Sequence, residues 1–309
     1  MTELVHIRVV VPAARRASVV PLLTGHRGVT NVVVLAGAAI DPIGDLLLFD
    51  TVREAATEVL AMLDGAGVNQ DGSVMVMHSR LSMGPNVIAA LEAAPGDADA
   101  TVLWPEVDAT VVKALQPTPL YFAYFVAAAV IAAVGVLTDS SILIVGAMVV
   151  GPEYGPIAAM SWALERRRLR PFMRAALVGA LGSAAAVAAA ASLALILDLA
   201  GRIPDGFRLG EQTNAGFITH PDVFTAIVAC AAAVAGVLSI AYEHSGTLVG
   251  VLVSVTTLPA IAAIGVGLAL RDWDDMWGAA AQLGTNLGCL IVVGALTLAA
   301  LRRRPRPAA

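Results

Sequence analysis

The hydrophobic positions change character once along the chain, near Pro117. Before it they alternate, or recur at helical spacing, between short polar turns; after it they fuse into long apolar runs. In the first part Val5–Val11 (VHIRVVV) reads as a strand, Pro12–Leu23 as a helix behind a proline and Val29–Leu35 as a second, β-branched strand. Past Gly37 and the turn pair Asp41-Pro42, Gly44–Phe49 is a third strand, Thr51–Leu63 a helix capped by Thr51 or Asp50, and Ser73–Met77 a fourth strand. The order β-α-β-β-α-β predicts a ferredoxin-like α+β domain over residues 1–80, a four-stranded antiparallel sheet with two helices on one face. Residues 81–117 are expected to form a linker, with Asp97 and Asp99 in PGDADA and an amphipathic helix over Pro105–Leu115 that leads to the bilayer.

Residues 118–301 are expected to form an α-helical polytopic membrane domain. Six spans can be drawn: Pro119–Leu137, Ser140–Leu164, Phe172–Leu199, Val223–Tyr242, Ser245–Leu270 and Trp277–Leu301, each near or above the roughly 20 residues that cross a hydrocarbon core. Glu243 and His244 mark the turn between the fourth and fifth. The second span carries Gly151, Pro152, Glu153, Tyr154, Gly155 and Pro156 at its centre. Proline removes a donor and clashes with the preceding turn, so backbone groups come free at a depth where lipid cannot satisfy them. The fifth span is expected to break likewise at Thr256, Thr257 and Pro259. Interrupted spans in corresponding halves of a chain point to a transporter's binding site, and three spans followed by three of opposite direction would make a 3+3 inverted repeat with helices 2 and 5 broken.

Composition supports a membrane protein: 58% of residues are hydrophobic and 14% charged, with a mean hydropathy of +0.80, against roughly 25% charged in a soluble domain. Arginine is asymmetric. Arg166, Arg167, Arg168, Arg170 and Arg174 follow the second span and Arg302, Arg303, Arg304 and Arg306 form a basic tail over 302–309, whereas Arg202, Arg208 and Arg271 stand on the opposite side. The positive-inside rule then predicts a cytoplasmic N-terminus, Arg loop and C-terminus. The opening MTELVHIRVVVPAARR lacks a basic start, a long apolar core and a small-residue cleavage site, so it is not read as a signal peptide. Cys230 and Cys289 read as small residues at helix contacts, without metal-ligand spacing. No basic block argues for nucleic acid. No cofactor or metal is expected, and the absence of a nucleophile, HExxH, carboxylate pair or Walker constellation argues against an enzyme and against ATP-driven pumping.

Glu153 is the sharpest candidate, because a carboxylate at mid-bilayer must be paired, hydrated or protonated; its structural reading is to tie down freed backbone amides. Tyr154 is a gate or a packing residue, and Thr256 and Thr257 either satisfy local backbone or face a solute. Gln282, Thr285 and Asn286, at i, i+3 and i+4, mark one face of span six, for interhelical hydrogen bonding or for solute.

Three runs, SILIVGAMVVGPEYGPIAA, TLVGVLVSVTTLPAIAAIGVGLA and QLGTNLGCLIVVGAL, together resemble the bacterial hydrophobic membrane family called domain of unknown function 389, through Gly146, Ala147, Met148, Pro152, Gly155, Pro156 and Ile157. The family is regarded as transporters of the cytoplasmic membrane. The resemblance thus implies a transporter, and the interrupted spans make a secondary transporter of an ion or small polar solute the leading reading, with a homo-oligomer in the bilayer as the expected assembly. A channel gated by ligand binding to the N-terminal domain, and a sensor or scaffold without transport, are the alternatives.

Overall fold

In the computed structural model, which describes residues 4–78, 84–93, 102–203, 207–213, 216–242 and 246–303, and only the backbone at 78, 216–217 and 246–256, the chain divides between Glu106 and Val107 into two units. The first holds β1 (Leu4–Val11), α1 (Ala13–Thr24), β2 (Val29–Ile40), β3 (Ile43–Val52), α2 (Arg53–Gly65), a one-turn α3 (Val68–Asp71), β4 (Ser73–His78) and α4 (Pro85–Ala93). All pairings are antiparallel, in the order β2-β3-β1-β4. That is the split arrangement the alternation predicts. One side chain in two along β1 and β3 (Val5, Ile7, Val9, Val11, Leu47, Phe49) meets Val19 and Leu23 of α1 and Ala56, Val59 and Leu63 of α2 in a single core. Val87, Ala90 and Leu103 join the same core. Asp97 and Asp99 lie outside the described residues.

Two local expectations change. β2 runs to Ile40 rather than Leu35, because the buried carboxylate of Asp45 accepts the Gly37 amide at 2.7 Å and Arg16 stands 3.3 Å away, tying down the outer hairpin. Helix α2 begins at Arg53 and has no side-chain cap, since Thr51 and Val52 still pair with β1. Asp50 is occupied across the sheet instead, 2.7 Å from His6 Nδ1 and accepting from Asn31 Nδ2.

From Val107 onward the chain is helical. α5 (Trp104–Ala114) leads into α6 (Pro119–Leu137), α7 (Ser141–Val150), α8 (Tyr154–Glu165), α9 (Leu169–Leu199), a 3-10 turn (Gly216–Thr219), α10 (Val223–Tyr242), α11 (Gly246–Leu270) and α12 (Trp273–Arg303). Local chemistry sets the starts: Thr118 accepts from Tyr121 N with Pro119 at the first helical position, and Asp222 accepts from both the amide and the hydroxyl of Thr225. Helices α6, α9, α10 and α12 are long and apolar enough to span a bilayer, and α7 with α8 makes a fifth candidate if the bent pair is one span.

The expected second break is absent. α11 is one helix of 25 residues with Pro259 inside it. A lone proline costs one ladder hydrogen bond, which neighbouring helices make tolerable at membrane depth. Packing around Pro259 is close: Leu258, Ile261 and Ala262 share a cluster with Phe125, Ala128, Ala147 and Ala186. The Glu243–His244 turn lies outside the described residues.

At the α11–α12 junction Asp275 accepts the Gly210 amide at 2.7 Å. Burial, followed by the hydrogen bond with and charge of Asp275, raises the Asp272 carboxyl above its ordinary range. A raised folded-state pKa favours the protonated form on folding, so this contact contributes most below the ordinary carboxylate pKa and is lost as pH rises through the raised value. Hydrogen exchange at the Gly210 amide, corrected for its intrinsic rate, is therefore expected to be slower in mildly acidic buffer than at neutral pH. Equal protection would show that the Asp272 proton does not hold the loop.

Candidate functional site

The break between α7 and α8 follows from two prolines four residues apart. Pro152 cannot donate, and it pushes the preceding residue out of the helical region, so Gly151 is extended (φ −64°, ψ 133°) and α7 stops. Pro156 falls in the first turn of α8, where an amide would have no intrahelical partner anyway. The two helices meet at 60°.

Glu153 sits at this corner and is 4% exposed. Its carboxylate folds back over Gly151, into the space a Cβ there would take, and makes no capping hydrogen bond to α8. Tyr121 on α6 belongs to one packed cluster with Val150, Leu258, Ile261 and Leu283. The end of α7, the Pro259 level of α11 and the Leu283 level of α12 thus converge beside the corner. Thr257 is buried next to Leu258; the Thr256 side chain lies outside the described residues.

Tyr154 is a tether. Its hydroxyl donates to the Gly236 carbonyl of α10, and its ring lies against the Gly236 backbone, room that only a residue without Cβ leaves. Span six divides its polar residues. Gln282 and Asn286 are buried and Thr285 is exposed. The inward face of α12 runs through Ala279, Gln282, Asn286, Leu290, Gly294, Ala295 and Leu298. Gln282 Nε2 lies 3.4 Å from Thr225 Oγ1. Ser161 reaches the Leu290 carbonyl at 3.4 Å, and further along both helices Arg302 Nε lies 3.5 Å from Glu165. α8 and α12 therefore run in the same direction, which places Asn286 and Gln282 towards the end of α8 that carries the break.

Sequence reasoning missed the clamp formed by α5. Asp108 accepts from Trp162 Nε1 at 2.8 Å and from Arg166 at 2.5 Å, and the Arg166 guanidinium lies 4.7 Å from the centre of the Trp162 ring. At the other end of α5, Ala114 is the nearest neighbour of Gly155. α5 thus runs antiparallel along α8 up to the break. With Tyr154, Ser161 and Leu290 its Val107 and Val111 enclose a cavity of about 20 Å³, enough for a water molecule and too small for most solutes. The available signal was Trp162 and Arg166 at i, i+4 closing an apolar span, preceded by an acidic residue in an amphipathic helix. Asp108→Ala leaves both donors without their acceptor, and should destabilise the membrane unit by about 1–2 kcal/mol. A fall in the thermal midpoint of detergent-purified protein checks this, and an unchanged midpoint would reduce the clamp to a surface contact. Cys230 on α10 and Cys289 on α12 are both free thiols.

Against this geometry, the model of the family described as Domain of unknown function (DUF389) matches residues 148–292. Over that stretch the chain is similar to the DUF389 family. The matched stretch begins at Met148 in α7 and ends at Val292 in α12, so the DUF389 region contains the break, Glu153, Thr257, Gln282 and Asn286. No curated protein and no solved structure matches the chain.

Proposed function

We propose that this membrane protein is a secondary transporter of an ion or small polar solute, with its site at the α7–α8 corner. The observation that carries the reading is a buried carboxylate, Glu153, at a 60° bend inside an apolar stretch of spanning length. Such a charge is costly at membrane depth unless paired, hydrated or protonated, and groups of this kind mark ion and solute pathways. The half-helix ends at the corner add carbonyls of α7 and amides of α8, which suit a cation and an anion respectively. Buried Thr257, Gln282 and Asn286 supply uncharged polar groups from α11 and α12.

Counting α11 and the bent pair as one span each gives six crossings, which fits cytoplasmic termini and the arginine asymmetry. Helix lengths favour a two-fold pseudo-repeat: 19 residues in α6 against 20 in α10, 10 and 12 around the break in α7–α8 against 25 in α11, and 31 in both α9 and α12. Only the first half has kept the break. A gated channel is the second reading, favoured by α5, which follows the first unit in the chain and ends at Gly155 beside the corner.

Flux under voltage control separates these readings. Proteoliposomes are challenged in turn with protons, sodium, potassium, phosphate and sulfate. Transport predicts a flux that saturates with concentration for one of them, a channel predicts currents linear in driving force, and silence throughout would leave a sensor or scaffold.

A further inference from the structure

We infer that the α8–α9 turn and the first turns of α9 form a binding site for an anionic phospholipid headgroup. Its arginines are poorly neutralised. Asp108 and Glu165 are committed to Arg166 and Arg302. Among the described residues Arg167, Arg168, Arg170 and Arg174 have no carboxylate within ion-pair distance, and all are exposed. Four uncompensated guanidinium groups within eight positions repel one another unless an anion lies between them.

The backbone is bent to display them. The turn closes through Arg168 N to the Ala163 carbonyl at 2.8 Å and Arg167 N to the Leu164 carbonyl at 3.0 Å, with Arg167 in the left-handed region at φ 53°. Glycine or asparagine usually takes that position, and a long side chain there costs roughly 1 kcal/mol. The Arg168 guanidinium lies 5.9 Å from the Trp162 ring, which orients it. Arginine's planar fork suits phosphate oxygens in pairs.

A second observation selects a lipid over a free anion. Arg170 and Arg174 lie one turn apart on α9, and beside them runs an outward apolar stripe, Leu169 (72% exposed), Met173, Leu177 and Leu181. That stripe continues along a helix of spanning length, so it offers a path for acyl chains directly below the cations. The proposal is independent of the transport reading.

The test is native mass spectrometry of the full chain in detergent, titrated with phosphatidylglycerol and with phosphatidylcholine of the same acyl length. Wild type should bind phosphatidylglycerol at least tenfold more tightly, and Arg170→Gln with Arg174→Gln should weaken that binding roughly thirtyfold. Arg202→Gln with Arg208→Gln, an equal charge change beyond the far end of α9, should leave it unaltered. Equal binding of the two lipids, or an unaltered affinity in the double variant, overturns the site. Displacement of the lipid by millimolar glycerol phosphate would make it a soluble-anion site and overturn the lipid assignment. Should the double variant not fold, Arg167→Gly removes one cation while relaxing the turn. It should raise thermal stability and weaken phosphatidylglycerol binding about fivefold; stability gained with affinity unchanged would also overturn the proposal.

Discussion

Glu153→Gln is expected to lower solute flux by roughly tenfold or more, or to abolish its pH dependence, while the protein folds with a thermal midpoint close to wild type. The amide preserves the shape that fills the space over Gly151 and keeps hydrogen-bonding capacity at the same place. What the substitution removes is a formal charge or titrating proton at a buried corner. Loss of a hydrogen bond to a charged group is worth about 1.5–3 kcal/mol, which sets the tenfold scale. A variant with wild-type rate and wild-type pH profile would leave Glu153 a structural carboxylate.

Gly265→Leu is expected to be a severely damaging change to the fold of the membrane unit, costing about 3 kcal/mol or more. A Cβ at Gly265 of α11 would stand 2.7 Å from both the Ala190 Cβ and the Val187 carbonyl of α9, with the Ala191 amide at 3.0 Å. Two of those three atoms are backbone and cannot rotate away. The contact is part of a seam of small residues along α9, where Gly182, Ala186, Ala190 and Ala194 are all buried, and close backbone approach is what holds helices together where lipid is as apolar as leucine. Gly284→Leu and Gly288→Leu on α12 are the controls, because a Cβ at either meets nothing within 4 Å. Purified Gly265→Leu should aggregate or melt far below wild type while both controls behave normally. Tolerance of leucine at 265 would show that α9 and α11 are not packed at backbone contact.

The contrast between Pro152 and Pro259 shows where sequence reasoning succeeds and where it stops. Both prolines sit inside apolar runs. Pro152 follows a glycine that accepts an extended conformation, and Pro156 restarts the helix one turn later; Pro259 follows Leu258, has no such partner, and is absorbed. The number and spacing of prolines, more than their presence, decided the outcome. The sheet order was legible because strand alternation has a period of two and leaves few registers. Gln282 and Asn286 are buried and Thr285 between them is exposed, a division that their shared i, i+3, i+4 spacing does not announce. The α5 clamp joins Asp108 to Arg166 across 58 positions, and no local pattern announces such a contact.

Whether the corner is an aqueous site can be asked without knowing the solute. In a background of Cys230→Ala and Cys289→Ala, Glu153→Cys, Leu177→Cys and Arg168→Cys are reconstituted separately and exposed on both faces to a small charged methanethiosulfonate that does not cross lipid. Position 177 is exposed on the apolar stripe of α9 and position 168 in the arginine turn. The account predicts labelling at 168 and, more slowly, at 153 as the corner opens to water, with none at 177. A cysteine at 153 that stays as unreactive as one at 177, while 168 is labelled to completion, would contradict it.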